Sequence, residues 1–237
     1  MPAGRKRERD TSVFDASWKG LYAAGSLAAL VFVILVIIPL VLVFAVPQPS
    51  TGGGAALLQY IASNKIVYLA ELTCFVGLSV PALVVFLALS LALKHLDRNL
   101  AAIGALLGIS SEVIALAVGS SPQSLHGGLV LLSDQFAAAG TEAQRVAFST
   151  AAEGLMAATN AVSWAGILTA AGILVLSLAM RKGLFHKAFA WIGIVTGALG
   201  IASEALRPLA GMGYILYGLL LPAWFVMVGL KLFALRR

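Results

Sequence analysis

Two copies of a short motif place carboxylates inside apolar segments of the chain. The sequence Leu-Gly-Ile-Ser-Ser-Glu at 107–112 recurs as Leu-Gly-Ile-Ala-Ser-Glu at 199–204. Each copy lies in an apolar run long enough to cross a bilayer, where a charge costs ~2.5–3.5 kcal/mol near the centre. Acids in this position usually face the bundle interior and bind a partner, a cation or a proton. Glu112 and Glu204 are therefore the first candidates for chemistry.

Two further acids are predicted to lie at a similar depth. At 1.5 Å per residue, Glu112 lies ~21 Å beyond Arg98 and Glu204 ~25 Å beyond Lys187. Glu71 lies near the start of a segment that runs in the opposite direction, and Glu153 lies where another helix enters the membrane. The sequence thus predicts four acids from four helices in one layer near the outer face.

Polar residues near these acids complete a candidate cavity. Arg207 follows Glu204 by three residues on the same helical face, which favours a local ion pair. Asn160 shares a face with Glu153 and Trp164. Glu112 has no basic residue within a turn, which leaves a basic residue across the bundle, a cation or a proton as its partner. The candidate binding residues are Glu112, Glu204, Asn160, Glu153, Glu71 and Arg207.

Composition shows what must position these side chains. Hydrophobic residues make up 60% of the chain and charged residues 11%, and the mean hydropathy is +0.98. These values are typical of a polytopic membrane protein. The formal charge is +6, but the basic residues lie at the ends of apolar runs, so nucleic-acid binding is excluded. Trp18, Trp191 and Trp224 also fall near predicted span ends and indicate an interfacial belt.

The apolar runs predict an all-α fold, a six-helix transmembrane bundle. It forms one transmembrane domain, 1–237, with a basic tail at 1–19 and spans at about 21–46, 66–93, 100–118, 157–180, 188–206 and 214–235. Pro47, Pro49 and the glycines at 52–54 indicate a loop after the first span. Glycines four apart, at 104 and 108 and at 193 and 197, predict closely packed helices.

The longest connection contains its own helical pattern. Leu125, Leu129, Leu132 and Phe136 form an apolar stripe, which predicts one short interfacial helix on the outer surface. Gly140 indicates its end, and Thr141 with Gln144 predicts a capping box for the next helix.

Orientation follows from the distribution of positive charge. With the N-terminus inside, all of the 16 Lys and Arg residues except Lys65, Arg145 and Arg207 fall on the cytoplasmic side. Both termini are therefore predicted to be cytoplasmic. Spans three and five run in the same direction, so the repeated hexapeptide is compatible with a parallel internal repeat or with chance similarity of apolar helices.

Several catalytic classes lack their motifs in this sequence. It contains no phosphate-binding Gly-rich loop with Lys-Ser/Thr, no His-Glu-x-x-His and no Gly-x-Ser-x-Gly. These observations favour a protein that is not an enzyme and predict no cofactor, no catalytic residue and no metal site. Ligation of a hard cation by several glutamates stays open.

Several stretches resemble a bacterial family of uncharacterised six-span membrane proteins, the domain of unknown function 4386 type. The resemblance is carried by Leu-Leu-Ser-Asp-Gln-Phe at 131–136, Thr-Glu-Ala-Gln-Arg at 141–145, Trp-Lys-Gly-Leu-Tyr at 18–22 and Met-Arg-Lys at 180–182. It implies six spans in a bacterial inner (plasma) membrane and an acid in span three, matched by Glu112. An arginine that the family carries shortly before that acid is replaced here by Ile109 or Ser110. The family implies no established activity.

Two hypotheses for function follow. In the first, the protein binds or passes a small solute, a cation or a proton through an outward-facing cavity lined by glutamates. In the alternative, it is a non-catalytic accessory or sensory subunit whose acids only pair helices. The expected partners are the lipid bilayer and a small solute or cation, without nucleic acid. The sequence leaves the oligomeric state open, a homo-oligomer included.

Overall fold

A computed structural model describes residues 16–47, 53–118, 127–162, 164–183, 185–206 and 211–236, and every regular segment within these ranges is helical. A short 3₁₀ turn at Ala16–Trp18 precedes the first α-helix. The α-helices are α1 Lys19–Ala45, α2 Gly53–Ser63, α3 Lys65–Gly77, α4 Ser79–Leu93, α5 Arg98–Val118, α6 Gly128–Ala138, α7 Glu142–Val162, α8 Ala165–Met180, α9 Lys187–Ala205 and α10 Gly211–Leu235.

Five segments among the described residues are long and apolar enough to cross a membrane, so the chain is a multi-pass membrane protein. They are Lys19–Ala45, Lys65–Leu93, Arg98–Ala117, Lys187–Ala205 and Ile215–Leu235, close to five of the predicted spans. The predicted span at 157–180 is different, because α7 ends at Val162 and α8 begins at Ala165. The apolar part of that predicted span is α8, a helix of 16 residues, and a span over 157–180 stays a prediction.

The apolar helices pack side by side in a closed ring, in the order α1, α4, α5, α8, α9 and α10. Aromatic side chains fill its centre: Phe32 stacks on Phe225 with ring centroids 3.6 Å apart, and Phe86 lies 6.1 Å from Trp224. The Trp224 indole Nε1 donates a hydrogen bond to Ser177 Oγ at 3.2 Å. The prediction that Trp224 belongs to an interfacial belt is therefore wrong, since its indole finds a partner inside the bundle.

Small residues allow α8 to approach both of its neighbours closely. A Cβ atom added to Gly172 of α8 would lie 2.8 Å from the Gly108 nitrogen and 3.0 Å from the Gly104 oxygen of α5. On the other side, a Cβ on Gly197 of α9 would lie 2.7 Å from the Ala170 oxygen. The predicted close packing at these glycine pairs is confirmed, and in lipid such contacts supply much of the attraction between helices.

A second, smaller cluster covers one end of the ring and is here called the cap. It consists of α2, α6 and α7, whose contacts enclose Leu58, Ile61, Leu129 and Ala152. The helix predicted from the Leu129, Leu132 and Phe136 stripe is confirmed as α6, while Leu125 lies outside the described residues. The sequence does not predict helix α2.

The predicted capping box also forms, at the start of α7. The backbone nitrogen of Gln144 donates a hydrogen bond to Thr141 Oγ1 at 3.3 Å. In return, the Gln144 side-chain oxygen accepts from the Thr141 nitrogen at 3.2 Å and from the Gly140 nitrogen at 3.0 Å. This reciprocal arrangement satisfies donors that the first turn of a helix leaves open.

The opposite end of the ring carries positive charge and is here called the basic end. Lys182, after α8, forms an ion pair of 2.6 Å with Asp97, before α5. The hydrogen bond from Lys182, followed by one from the Leu100 amide, lowers the pKa of the Asp97 carboxyl. Lys94 lies over the ring of Trp18 and Arg181 over the ring of Trp191. These contacts fix the ends of neighbouring helices to one another.

Substitution of Gly172 by alanine tests whether the close approach of α8 to α5 stabilises the fold. The new methyl group would collide with backbone atoms that cannot rotate away, so we expect Gly172→Ala to lower stability by ~1–3 kcal/mol. Thermal unfolding in nanodiscs measures the effect. Gly218→Ala in α10 is the control, because a Cβ there meets nothing within 4 Å. An equal loss for both variants would contradict the packing.

Candidate functional site

Two helix junctions lie beside Glu112. Helix α3 continues into α4 through Leu78, which keeps a right-handed helical backbone and donates to the Cys74 carbonyl at 2.9 Å. Helix α7 ends at Val162, and α8 begins at Ala165. Both α4 and α8 pack against α5, and both begin near the Glu112 carboxyl. The Ser79 hydroxyl at the start of α4 lies beside that carboxyl. The Ala165 carbonyl at the start of α8 accepts a hydrogen bond of 2.6 Å from Ser111 Oγ.

A short chain of hydroxyl groups connects this helix start with Glu112. Ser111 Oγ lies 2.6 Å from Thr169 Oγ1, and Thr169 Oγ1 lies 3.2 Å from Oε1 of Glu112. The Ser79 hydroxyl is buried beside the carboxyl but falls short of hydrogen-bond geometry. Glu112 itself is only 4% exposed, and the neutral hydroxyl groups of Thr169 and Ser79 lie beside its carboxyl.

Ion pairs within the described residues do not include Glu112. The described pairs are Lys65 with Asp134 and Lys182 with Asp97, each near one end of the molecule. The sequence left open a basic partner, a cation or a proton for Glu112; Arg145 and Arg207 are the basic residues predicted on the outer side near it. Arg207 lies outside the described residues, and Arg145, in the first turn of α7, is exposed. Within the described residues, the Glu112 carboxyl has hydroxyl neighbours and no basic side chain paired with it.

Glu204 lies on the opposite side of the same helix start. Its carboxyl packs against Gly166, where an added Cβ would lie 2.7 Å from Glu204 Cδ. The buried Glu204 and Glu112 thus flank the first turn of α8. The N-terminal end of a helix carries a partial positive charge that favours nearby carboxylates.

This arrangement explains why the two hexapeptides are alike. Both α5 and α9 pack against α8, and each uses its motif glycine for that contact: Gly108 meets Gly172, and a Cβ on Gly200 would lie 2.8 Å from Ala170 Cβ. Each motif then ends in a carboxylate at the start of α8. Because both motifs contact α8 in this way, packing alone is enough to account for the similarity of the two hexapeptides. The internal repeat stays a prediction.

The other two acids border the cap. Glu71 is fully buried in α3, ~12 Å along the chain from Ser79 at 1.5 Å per residue. Burial and, second, the charge of Glu71 raise the pKa of the Tyr60 phenol in α2. Glu153 is exposed, and its Oε1 accepts a hydrogen bond of 3.2 Å from the Gly54 nitrogen. The prediction of a single layer of four acids is wrong, because Glu71 and Glu153 belong to a second group.

The remaining predicted site residues contribute little to the description of the site. Asn160 lies in α7, but its side chain is outside those that the structure describes, and so is Arg207 as a whole. The predicted face shared by Glu153, Asn160 and Trp164 is interrupted, because α7 ends before Trp164. Trp164 is 61% exposed, so its side chain points away from the bundle centre.

Three hydroxyl residues of the site are not among the ligands that the sequence predicts. Ser111 lies inside the repeated hexapeptide, Ser79 closely precedes Pro81, and Thr169 is a hydroxyl within an apolar run. A serine two residues before a proline and a serine inside a repeat are the signals that could have drawn attention to two of them. Thr169 offers no such signal. Within the described ranges, no three His, Cys, Asp or Glu side chains come together in the manner of a metal site.

In comparisons with known proteins, no protein-family model, no curated protein and no solved structure matches the chain. The resemblance to the family of domain of unknown function 4386 therefore stays a prediction.

Substitution of Glu153 tests its role as the acceptor at the start of α2. Glu153→Ala removes the acceptor of the Gly54 amide, so we expect the amides of α2 to exchange with deuterium about fivefold faster. Glu153→Gln should exchange almost as slowly as the unsubstituted protein, because the amide oxygen can still accept.

Hydrogen exchange followed by mass spectrometry on peptides covering 53–63 measures this effect. Glu142→Ala, at the exposed first turn of α7, is the matched control and should leave α2 unchanged. Equal exchange in Glu153→Ala and the unsubstituted protein would show that the contact contributes nothing to α2.

Proposed function

We propose that this protein binds a proton at Glu112 and passes it, alone or with a small solute, toward the side of the membrane that carries the cap. This proposal narrows the sequence hypothesis of a solute, cation or proton site. The observation that carries it is the chain of oxygen atoms that runs from Glu112 to the Ala165 carbonyl.

The number of protons in this chain favours a protonated Glu112. Its three oxygen–oxygen contacts each need one proton, but the hydroxyl groups of Ser111 and Thr169 supply only two and the Ala165 carbonyl none. If Glu112 is ionised, one contact brings two lone pairs together. If Glu112 is protonated, it donates to Thr169, Thr169 donates to Ser111, and Ser111 donates to Ala165. Every contact then has its proton.

The burial of Glu112 also favours a proton as its ligand. An ionised carboxylate without a cationic partner is costly in a bilayer, whereas a neutral carboxylic acid costs far less. Hard cations such as Ca²⁺ take six to eight oxygen ligands, while Glu112 has one carboxyl and a few hydroxyls around it. A proton needs neither a cavity nor additional ligands, so it fits a carboxyl that is 4% exposed.

The surroundings of Glu112 favour a route on the cap side. One turn toward the basic end, Phe86 packs on Gly108, and Trp224 and Phe225 fill the space beyond. Toward the cap, α7 and α8 are separate helices, and a junction of this kind lets one helix shift relative to the other without breaking a long one. Glu204, across the start of α8, is the next carboxylate along this route.

The position of the protein in the membrane follows from the length of α8 and from the distribution of positive charge. Helix α8 serves as the sixth span, since 16 residues at 1.5 Å cover ~24 Å and the helix packs between the spanning helices α5 and α9. The positive-inside rule makes the basic end cytoplasmic, with both termini on that side. By the stated resemblance, the membrane is the inner (plasma) membrane of a bacterium.

Proton uptake by reconstituted vesicles tests this function. In liposomes with a trapped pH-sensitive dye and an imposed K⁺ diffusion potential, we expect proton flux with the unsubstituted protein and none above protein-free vesicles with Glu112→Gln. Glutamine keeps the size of a neutral carboxylic acid but cannot release a proton. Thr169→Val should reduce the flux, because it removes the first hydroxyl of the chain.

Glu142→Gln, on the exposed surface of the cap, is the control and should transport normally. Equal flux for Glu112→Gln and the unsubstituted protein would disprove the role of Glu112. Absence of flux in all variants, together with the same pH dependence of thermal unfolding with and without Glu112, would favour the accessory or sensory alternative.

A further inference from the structure

An apolar groove runs along the outside of the ring between α1 and α10. Its cavity volume is about 370 Å³, and its lining includes Ala23, Ser26, Val33, Val226 and Arg236. The floor forms where the two helices touch, since a Cβ on Gly229 would lie 2.7 Å from Ala29 Cβ. The rims are exposed leucines, Leu27, Leu30 and Leu230. The groove is distinct from the site at Glu112.

The length of the groove corresponds to one leaflet of a bilayer. From Ala23 to Val33 on α1, and from Arg236 back to Val226 on α10, the helices rise ~15 Å at 1.5 Å per residue. The hydrocarbon core of a bilayer is ~30 Å thick, so each leaflet contributes ~15 Å. The groove therefore begins at the basic end of the ring and ends near the middle of the membrane.

A cation marks the end of the groove that meets the membrane surface. Arg236 is exposed, and its guanidinium lies over the Phe233 ring, 3.6 Å from the centroid. Stacking on a ring holds the guanidinium plane while its N–H edges stay available. Such a group binds phosphate oxygens in a bidentate manner.

The geometry points to a binding site for one anionic phospholipid, with an acyl chain in the groove between α1 and α10 and its phosphate on Arg236. An apolar channel one leaflet long with a cation at its surface end matches the shape and charge of such a lipid. A helix from a second copy of the chain would instead use the full length of α1 and gain nothing from a cation at one end.

Native mass spectrometry of the purified full-length protein tests this site. The probes are phosphatidylglycerol and phosphatidylcholine with identical acyl chains. We expect one phosphatidylglycerol to bind more tightly than phosphatidylcholine. Arg236→Gln should weaken phosphatidylglycerol about fivefold, which corresponds to ~1 kcal/mol for one basic residue, and leave phosphatidylcholine unchanged. Ser26→Leu, which fills the groove, should weaken both lipids, while thermal unfolding verifies that the variant is folded.

Arg98→Gln is the matched control, because Arg98 is an exposed cation at the basic end of α5, on the other side of the ring. Its affinity for phosphatidylglycerol should equal that of the unsubstituted protein. Equal losses for Arg98→Gln and Arg236→Gln would overturn the proposal in favour of general attraction to anionic lipid. A dimer that Ser26→Leu converts to a monomer would overturn it in favour of a second copy in the groove.

Discussion

The close approach of α8 to α5 and α9 is the contact on which the rest of the structure depends. In a membrane, apolar surface gains little by leaving lipid, so helices associate through van der Waals packing and hydrogen bonds. Glycines 104, 108 and 172 bring the backbones of α5 and α8 close enough for Ser111 Oγ to reach the Ala165 carbonyl at 2.6 Å. With larger side chains there, the hydroxyl chain to Glu112 would be broken. The packing of α8 against α5 thus also builds the hydroxyl chain at Glu112.

The spans could be predicted from the sequence because an apolar run of about 20 residues has few other structures available to it. The interruption before α8 could not, since Ser163 and Trp164 include no proline or glycine that would mark a break. Helix α2 could not be predicted because the glycines at 52–54 indicate a loop. Its apolar residues Leu58 and Ile61 are buried only through their packing in the cap against α6 and α7. The acids were assigned to one layer because depth was counted along single straight helices.

Membrane proteins keep buried acids at the expense of stability, and the surroundings of Glu112 show how that expense is limited. The carboxyl has hydroxyl neighbours on two helices and lies near the positive end of α8. These neutral groups do not hold the acid in its ionised form, as a fixed ion pair would. Proton transfer requires a carboxyl that can both gain and release its proton. Glu153, bound to a backbone amide at the surface, has a purely structural contact by comparison.

Infrared difference spectroscopy can observe the proton on Glu112. Spectra of the unsubstituted protein and Glu112→Gln, recorded at neutral pH in nanodiscs, separate this carboxyl from Glu71 and Glu204. If Glu112 is protonated, the difference spectrum contains the C=O stretch of a carboxylic acid, which shifts in heavy water. A difference spectrum with carboxylate bands and no carboxylic acid band would show that Glu112 is ionised, and the proposed proton site would then be wrong.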